Sequence, residues 1–220
     1  MVNTETIAGT TQSLDGDAEQ RILDAAHLVF VRRGTAGARM QEIADEAGVN
    51  KALLHYYFRS KSGLADAVFK RVARGVFGRL TEVASSDAPL EDKVRRIVAV
   101  YLEQLGRAPF VPGYIIGELS QHPERAQQLM ETVRQFTDGA MPPVFLEGLR
   151  TQVDEAVRGG RIRPMTSEQF VANLVSLCVF PFAARPLLCA VLGMDADGFE
   201  AFLEDRRTAL PEFFLNAIRP

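Results

Sequence analysis

The residues best suited to chemistry cluster between positions 39 and 61 of a chain of 220 residues. They bring amide, ammonium, guanidinium, imidazole and phenol groups together on a short stretch. The candidate set is Arg39, Gln41, Asn50, Lys51, Ala52, His55, Tyr56, Tyr57 and Lys61. Most of these side chains donate hydrogen bonds, and donors suit the phosphate oxygens and base edges of a nucleic acid. The alternative is a solvated helix surface without a partner, but aromatic rings beside lysines have little structural purpose on such a surface.

Catalytic and metal-dependent chemistry is not indicated. The sequence contains no Gly-x-Ser-x-Gly, His-Glu-x-x-His or paired-cysteine motif. Its two cysteines, Cys178 and Cys189, lie in one apolar segment without neighbouring histidines, which favours ordinary buried thiols in a reducing, cytoplasmic environment. We therefore predict no catalytic residue, no metal site and no cofactor, and an enzyme is the least favoured class.

Two short helices joined by a tight turn are expected to position the candidate set. Apolar residues recur with helical spacing over residues 39–47, and Gly48 permits a turn. Asn50 can cap a second helix that runs to Phe58, and Ser60 can cap the helix after it. Small and apolar residues can pack these helices together: Ala44, Ala47, Val49, Leu54 and Phe58. This is a helix-turn-helix arrangement, whose second helix enters the major groove of DNA.

Helical periodicity continues along the rest of the chain, and no segment alternates with the period of a strand for long. The other predicted helical segments are 18–33, 64–83, 90–106, 114–120, 123–136, 144–158, 167–192 and 198–218. Residues 1–17 are polar and are interpreted as a flexible arm. The predicted fold class is therefore all-α.

The overall charge gives no attraction to nucleic acid, because the chain has 25 Lys and Arg residues and 28 Asp and Glu residues, a net charge of −3. Residues 20–63 hold seven basic and four acidic residues, so any such contact must be local.

The apolar stretch 170–193 is long enough to cross a membrane, but Pro181, Arg185 and Pro186 interrupt it. We expect a buried or interface helix there and no membrane association.

Residues 20–68 resemble the DNA-binding domain of the tetracycline-repressor-like (TetR) family of bacterial transcription regulators. The motifs that carry the resemblance are Ile43-Ala44, Ala47-Gly48-Val49, Tyr56-Tyr57-Phe58 and Lys61. Together they are specific, although each alone is common. The resemblance implies a three-helix DNA-binding domain over residues 18–63 and a helical ligand-binding and dimerisation domain over residues 64–220.

The sequence departs from the family pattern at positions expected to contact DNA. Arg39 stands where the family usually has Thr or Ser, and the second helix begins Asn50-Lys51-Ala52-Leu53 rather than with Ser or Thr, Lys, Gly and Thr. His55 occupies the position of a usual Tyr. Base preference therefore does not transfer from the family.

The resemblance further implies a homodimer, with segments 167–192 and 198–218 pairing across a two-fold axis. Such a dimer is expected to be a repressor on a palindromic double-stranded operator, released by an unidentified small-molecule effector. The candidate effector-binding residues are Phe110, Tyr114, Glu118, Phe136, Phe145 and Phe180, although each alone is more typical of a core or a surface. The alternative is a regulator of the same fold that senses no small molecule, controlled by a protein partner or acting as an activator.

Overall fold

The computed structural model describes residues 5–121, 123, 126–127, 130–131 and 142–220, and it describes side chains for all of these except 5–16, 118 and 142–146. Every element in these ranges is a helix, which confirms the all-α class. The helices are α1 (Glu5–Gly37), α2 (Met40–Ala47), α3 (Lys51–Phe58), α4 (Lys61–Ser85), α5 (Leu90–Arg107), α6 (Val111–Gln121), α7 (Pro142–Arg158), α8 (Ser167–Ala183), α9 (Arg185–Leu192) and α10 (Ala196–Ala217). The chain divides into two compact units after Arg71, inside α4, whereas the resemblance places the boundary at residues 63–64.

The first unit is built on one apolar face of α1. This face closes over the buried faces of the next three helices, and its core is Ile22, Ala26, Val29, Phe30, Ile43, Ala44, Leu54, Leu64 and Val68. Helix α1 begins at Glu5. The sequence predicts a flexible arm up to residue 17 instead, because the polar residues there show no helical hydrophobic period. Its backbone leaves helical geometry at Gly34, with φ 66° and ψ 168°, at the predicted end of the apolar pattern.

The second unit has a larger core between α5, α7, α8 and α10, to which the second half of α4 contributes Val76 and Leu80. The rings of Phe170 and Phe214 pack edge to face with centroids 5.1 Å apart. Lys93 is 2% exposed, and its ammonium donates to the carbonyl oxygen of Ala84 at 2.7 Å. This bond satisfies an acceptor in the last turn of α4, where a cation also suits the helix dipole.

The predicted segment 167–192 is two helices rather than one. Pro181 lies inside α8, and the break falls three residues later at Ala184, with φ −107° and ψ 21°. Helices α8 and α9 meet there at 77°. Among the described helices, none is long and apolar enough by itself to cross a membrane, and this bent pair passes such a test only jointly, by length and composition.

Candidate nucleic-acid interface

The turn between α2 and α3 depends on Gly48. Its φ of 64° and ψ of 35° are left-handed, a conformation that costs a residue with a side chain but not glycine. The Gly48 N–H donates to the carbonyl of Asp45, and the Val49 N–H donates to that of Ala44 at 3.0 Å. This pair of bonds is the Schellman motif, which ends a helix and redirects the chain within two residues.

Helix α3 starts at a side-chain cap, as predicted. The Asn50 Oδ1 accepts from the backbone N–H of Leu53 at 2.7 Å, which satisfies one free amide of the first turn. The Asn50 amide nitrogen is a donor that the cap does not use. Leu54 and Phe58 are buried, so α3 is fixed to the core along one face.

The predicted contact residues of α3 lie at its surface. Lys51, Ala52, His55 and Tyr56 are exposed, and Tyr56 is 76% exposed. Tyr57 is half-buried, and its ring packs edge to face on Tyr56 with centroids 5.4 Å apart. Four of these side chains are therefore exposed and that of Tyr57 is half-buried, and their contact with DNA stays a prediction.

The remaining candidates differ in what their side chains do. Arg39 is exposed at the N-terminus of α2 and gives no side-chain cap to that helix. Gln41 donates to the Asp45 carboxylate at 2.8 Å. Lys61 is half-buried, and its ammonium donates to the carbonyls of Ala36 at 2.9 Å and Ala38 at 3.3 Å. Lys61 thus ties α4 to the chain between α1 and α2, a structural task that its place in the motif does not reveal.

Two ion pairs reduce the negative charge of α2. Arg32 of α1 pairs with Glu46, and Arg33 pairs with Glu42 at 3.5 Å. The hydrogen bond and charge of Glu46 raise the pKa of Arg32. From the sequence, both arginines are equally consistent with a helix-dipole role and with a contact to DNA. In the structure each pairs with a glutamate of α2 and offsets a negative charge that would repel phosphate.

Sequence reasoning missed the strained turn that follows α3. Arg59 has φ 58° and ψ −42°, and the N–H of Ser60 reaches the carbonyl of Phe58 at 2.5 Å, a γ-turn centred on Arg59. The turn places an exposed arginine at the end of α3. The basic residue itself is visible in the sequence, but nothing there signals its positive φ.

Gly63 fits against this turn because it has no side chain. A Cβ there would lie 2.5 Å from the carbonyl oxygen of Phe58, closer than such atoms approach. The Ser60 hydroxyl accepts from the Gly63 N–H at 3.0 Å, which confirms the predicted cap of α4.

The structure describes the side chains of three of the six candidate effector residues. Phe110 and Tyr114 are half-buried, and Phe180 is 54% exposed. Phe136 and the side chains of Glu118 and Phe145 lie outside the described residues. These candidates stay predictions.

A pocket of about 430 Å³ lies where α5, α8, α9 and α10 meet, and none of the three described candidates, Phe110, Tyr114 and Phe180, lines it. Its apolar wall is Leu102, Pro109, Phe182, Phe199 and Leu203, and its charged lining is Glu103, Arg107, Arg185, Glu200, Glu204 and Arg207. Glu103 accepts from Arg79 at 2.6 Å and pairs with Arg107 at 3.0 Å. The Arg79 bond is the main reason that the pKa of Glu103 is lowered.

Large apolar side chains are exposed on the last three helices of the second unit. They are Phe180, Leu187, Val191, Leu192 and Phe213, each between 54% and 71% exposed. Helix α9 has no buried residue. Exposed apolar side chains of this size are typical of a protein–protein interface when they form one patch.

The first unit therefore has the geometry of a helix-turn-helix domain, with α3 as its exposed second helix. Residues 22–68 match the family model described as bacterial regulatory proteins, tetR family. An HTH-type transcriptional repressor of Mycobacterium tuberculosis is 32% identical over 113 residues, which cover 51% of this chain and 57% of that protein. The chain thus aligns with little more than half the length of this relative.

Two further similarities extend over most of the chain. The nucleoid occlusion factor SlmA of Pasteurella multocida is 25% identical over 167 residues, 76% of this chain and 81% of that protein. The solved structure of the transcriptional regulator FadR from Bacillus subtilis, in complex with stearoyl-CoA, superposes with a TM-score of 0.58. It covers 91% of this chain and 99% of FadR at 16% identity, which shows a shared fold. Residues 22–68 thus match the tetR family of bacterial regulatory proteins, and the similarity of most of the chain to FadR is one of fold.

Proposed function

We propose that the chain is a homodimeric repressor that binds a palindromic operator through residues 39–61 and leaves it when a small molecule binds the second unit. The observation that carries the DNA contact is the division of α3 into two faces. Leu54 is buried, whereas Lys51 and Tyr56 are exposed. A cation and a phenol on an open, capped helix supply donors for phosphates and base edges.

The exposed apolar residues of α8, α9 and α10 support the dimer. In a two-fold interface the same patch of each subunit meets its own copy, so a single self-complementary surface is sufficient. Burying side chains such as Phe213 and Val191, which are 62% and 71% exposed, supplies the hydrophobic driving force. A dimer presents two copies of α3, so the half-sites are expected about 34 Å apart, one turn of duplex.

Single substitutions on α3 test the DNA contact. Fluorescence anisotropy with a duplex selected from a random pool would compare Lys51→Ala and Tyr56→Ala with Lys70→Ala, a matched change of an exposed lysine on α4. We expect Lys51→Ala to weaken binding and to lower the slope of log affinity against log salt by about 1. Equal losses for Lys51→Ala and Lys70→Ala, or no loss for both α3 variants, would remove α3 from the interface.

The proposed effector must favour the state that has left the operator. A ligand that moves the protein from mostly bound to mostly released needs about a 10⁴-fold preference for the released state, or about 5.5 kcal/mol. Because the FadR structure contains stearoyl-CoA, this compound and shorter acyl-CoAs are the first probes, followed by a metabolite panel. Thermal shift and release of the selected duplex are the readouts. If no compound changes either one, the alternative of a regulator that senses no small molecule is favoured.

A further inference from the structure

His55 is held in one orientation by the turn that ends α3. Its Nδ1 lies 3.1 Å from the carbonyl oxygen of Arg59. A carbonyl oxygen only accepts, so Nδ1 carries the hydrogen and donates it. The backbone N–H of Arg59 in turn donates to the carbonyl of His55 at 2.9 Å. The backbone bond holds the two residues together, and the Nδ1 bond orients the ring.

The acceptor in this pair belongs to a tight turn with little room to move. Arg59 sits in the γ-turn described above, and Gly63 packs against the carbonyl of Phe58 so closely that no side chain fits. The His55 ring is therefore positioned by backbone rather than by other flexible side chains. A rigid group is able to discriminate between ligands that a mobile group would accept equally.

The other ring nitrogen, Nε2, has no hydrogen-bond partner among the described residues, and the side chain is exposed on the open face of α3. With the hydrogen on Nδ1, the neutral ring offers a lone pair at Nε2 and no second donor. Phosphate oxygens also only accept, so the neutral His55 cannot bind the DNA backbone as a tyrosine hydroxyl at this position can. Its partner must be a donor.

We propose that His55 is a base-reading residue that accepts a hydrogen bond from the exocyclic amino group of adenine or cytosine. In the major groove these amino groups, adenine N6 and cytosine N4, are the donors that the bases present. Guanine and thymine present only acceptors at the corresponding edge, together with the thymine methyl group, and are disfavoured at this position. This inference rests on the proposed operator binding through α3, and it adds the chemical group that one residue reads.

The test is a coupling cycle at pH 8.5, above the range in which imidazoles ordinarily take up a proton. Each adenine or cytosine of the selected half-site is replaced in turn by the analogue that lacks the amino group, purine or 2-pyrimidinone. The same replacements outside the half-site control for weakened base pairing. Affinity is measured for the wild type, His55→Ala, His55→Phe and Lys51→Ala.

At one position in each half-site, we expect loss of the amino group to weaken wild-type and Lys51→Ala binding about three- to tenfold, the effect of one hydrogen bond. The same change should leave His55→Ala and His55→Phe unaffected. Equal losses for all four proteins at every position would overturn the inference while leaving operator binding intact. A wild-type protein that retains no duplex from the random pool would instead refute the proposed function, and this inference with it.

Discussion

Substituting Gly63 with alanine tests the turn that follows α3. Two physical effects of this substitution change the free energy of unfolding in opposite directions. Alanine is favoured over glycine inside a helix by about 1 kcal/mol, which alone would stabilise α4. The added Cβ, however, would lie 2.5 Å from the carbonyl oxygen of Phe58, a backbone atom that also accepts from Ser60. Forcing such a contact apart costs about 1–3 kcal/mol. The net expectation for Gly63→Ala is a loss of about 1 kcal/mol.

A matched control lies in the same helix. A Cβ at Gly78 would meet nothing within 4 Å, so Gly78→Ala should show the helix preference alone. Thermal unfolding followed by circular dichroism, at one fixed protein concentration, should raise the midpoint by about 2–4 °C for Gly78→Ala and lower it by a similar amount for Gly63→Ala. Gly63→Ala should also weaken binding to the selected duplex. Equal stabilisation by both substitutions would refute the close contact between α4 and the end of α3.

Three further predictions concern single side chains. Asn50→Ala removes the cap of α3 and should lower the free energy of unfolding, measured by thermal unfolding, by about 1 kcal/mol. Asn50→Ser retains an acceptor and should lower it less. Equal losses for the two variants would exclude a capping role. Burial raises the pKa of the Cys178 thiol to about 12, so at pH 8 the thiol stays protonated and unreactive. After treatment with iodoacetamide, peptide mass spectrometry should find the modification on the half-buried Cys189 but not on Cys178. Modification of Cys178 at an equal rate would contradict this burial. Phe213→Glu places a charge on the exposed apolar face and should convert the proposed dimer to a monomer, measured by size-exclusion chromatography with light scattering. Phe213→Leu is the control and should stay dimeric. A dimer that survives Phe213→Glu would remove that face from the interface.

Local signals explain which parts of the fold and site the sequence predicts. The left-handed turn at Gly48, the Asn50 cap and the Ser60 cap each depend on one residue type at one position, and the structure confirms all three. The exposed face of α3 follows from the same local pattern, since burying Leu54 and Phe58 leaves the other side open.

Features that depend on residues distant in the sequence were not predictable. Pairing of Arg32 with Glu46 and the contact of Lys61 with the carbonyl of Ala36 bring together residues 14 and 25 positions apart. The sequence marks an interruption at Pro181, Arg185 and Pro186 but does not show that the break itself falls at Ala184, with Pro186 in the first turn of α9. The pocket between α5 and α10 likewise requires the fold.

The proposed function requires that two copies of α3 read a palindromic operator. The most direct measurement is selection by the purified wild-type protein from a random duplex pool at defined salt, followed by sequencing of the retained duplexes. We expect an inverted repeat whose half-sites are centred about 34 Å, or one turn of duplex, apart. A folded dimer that enriches no sequence, or that enriches a site without two-fold symmetry, would contradict the account.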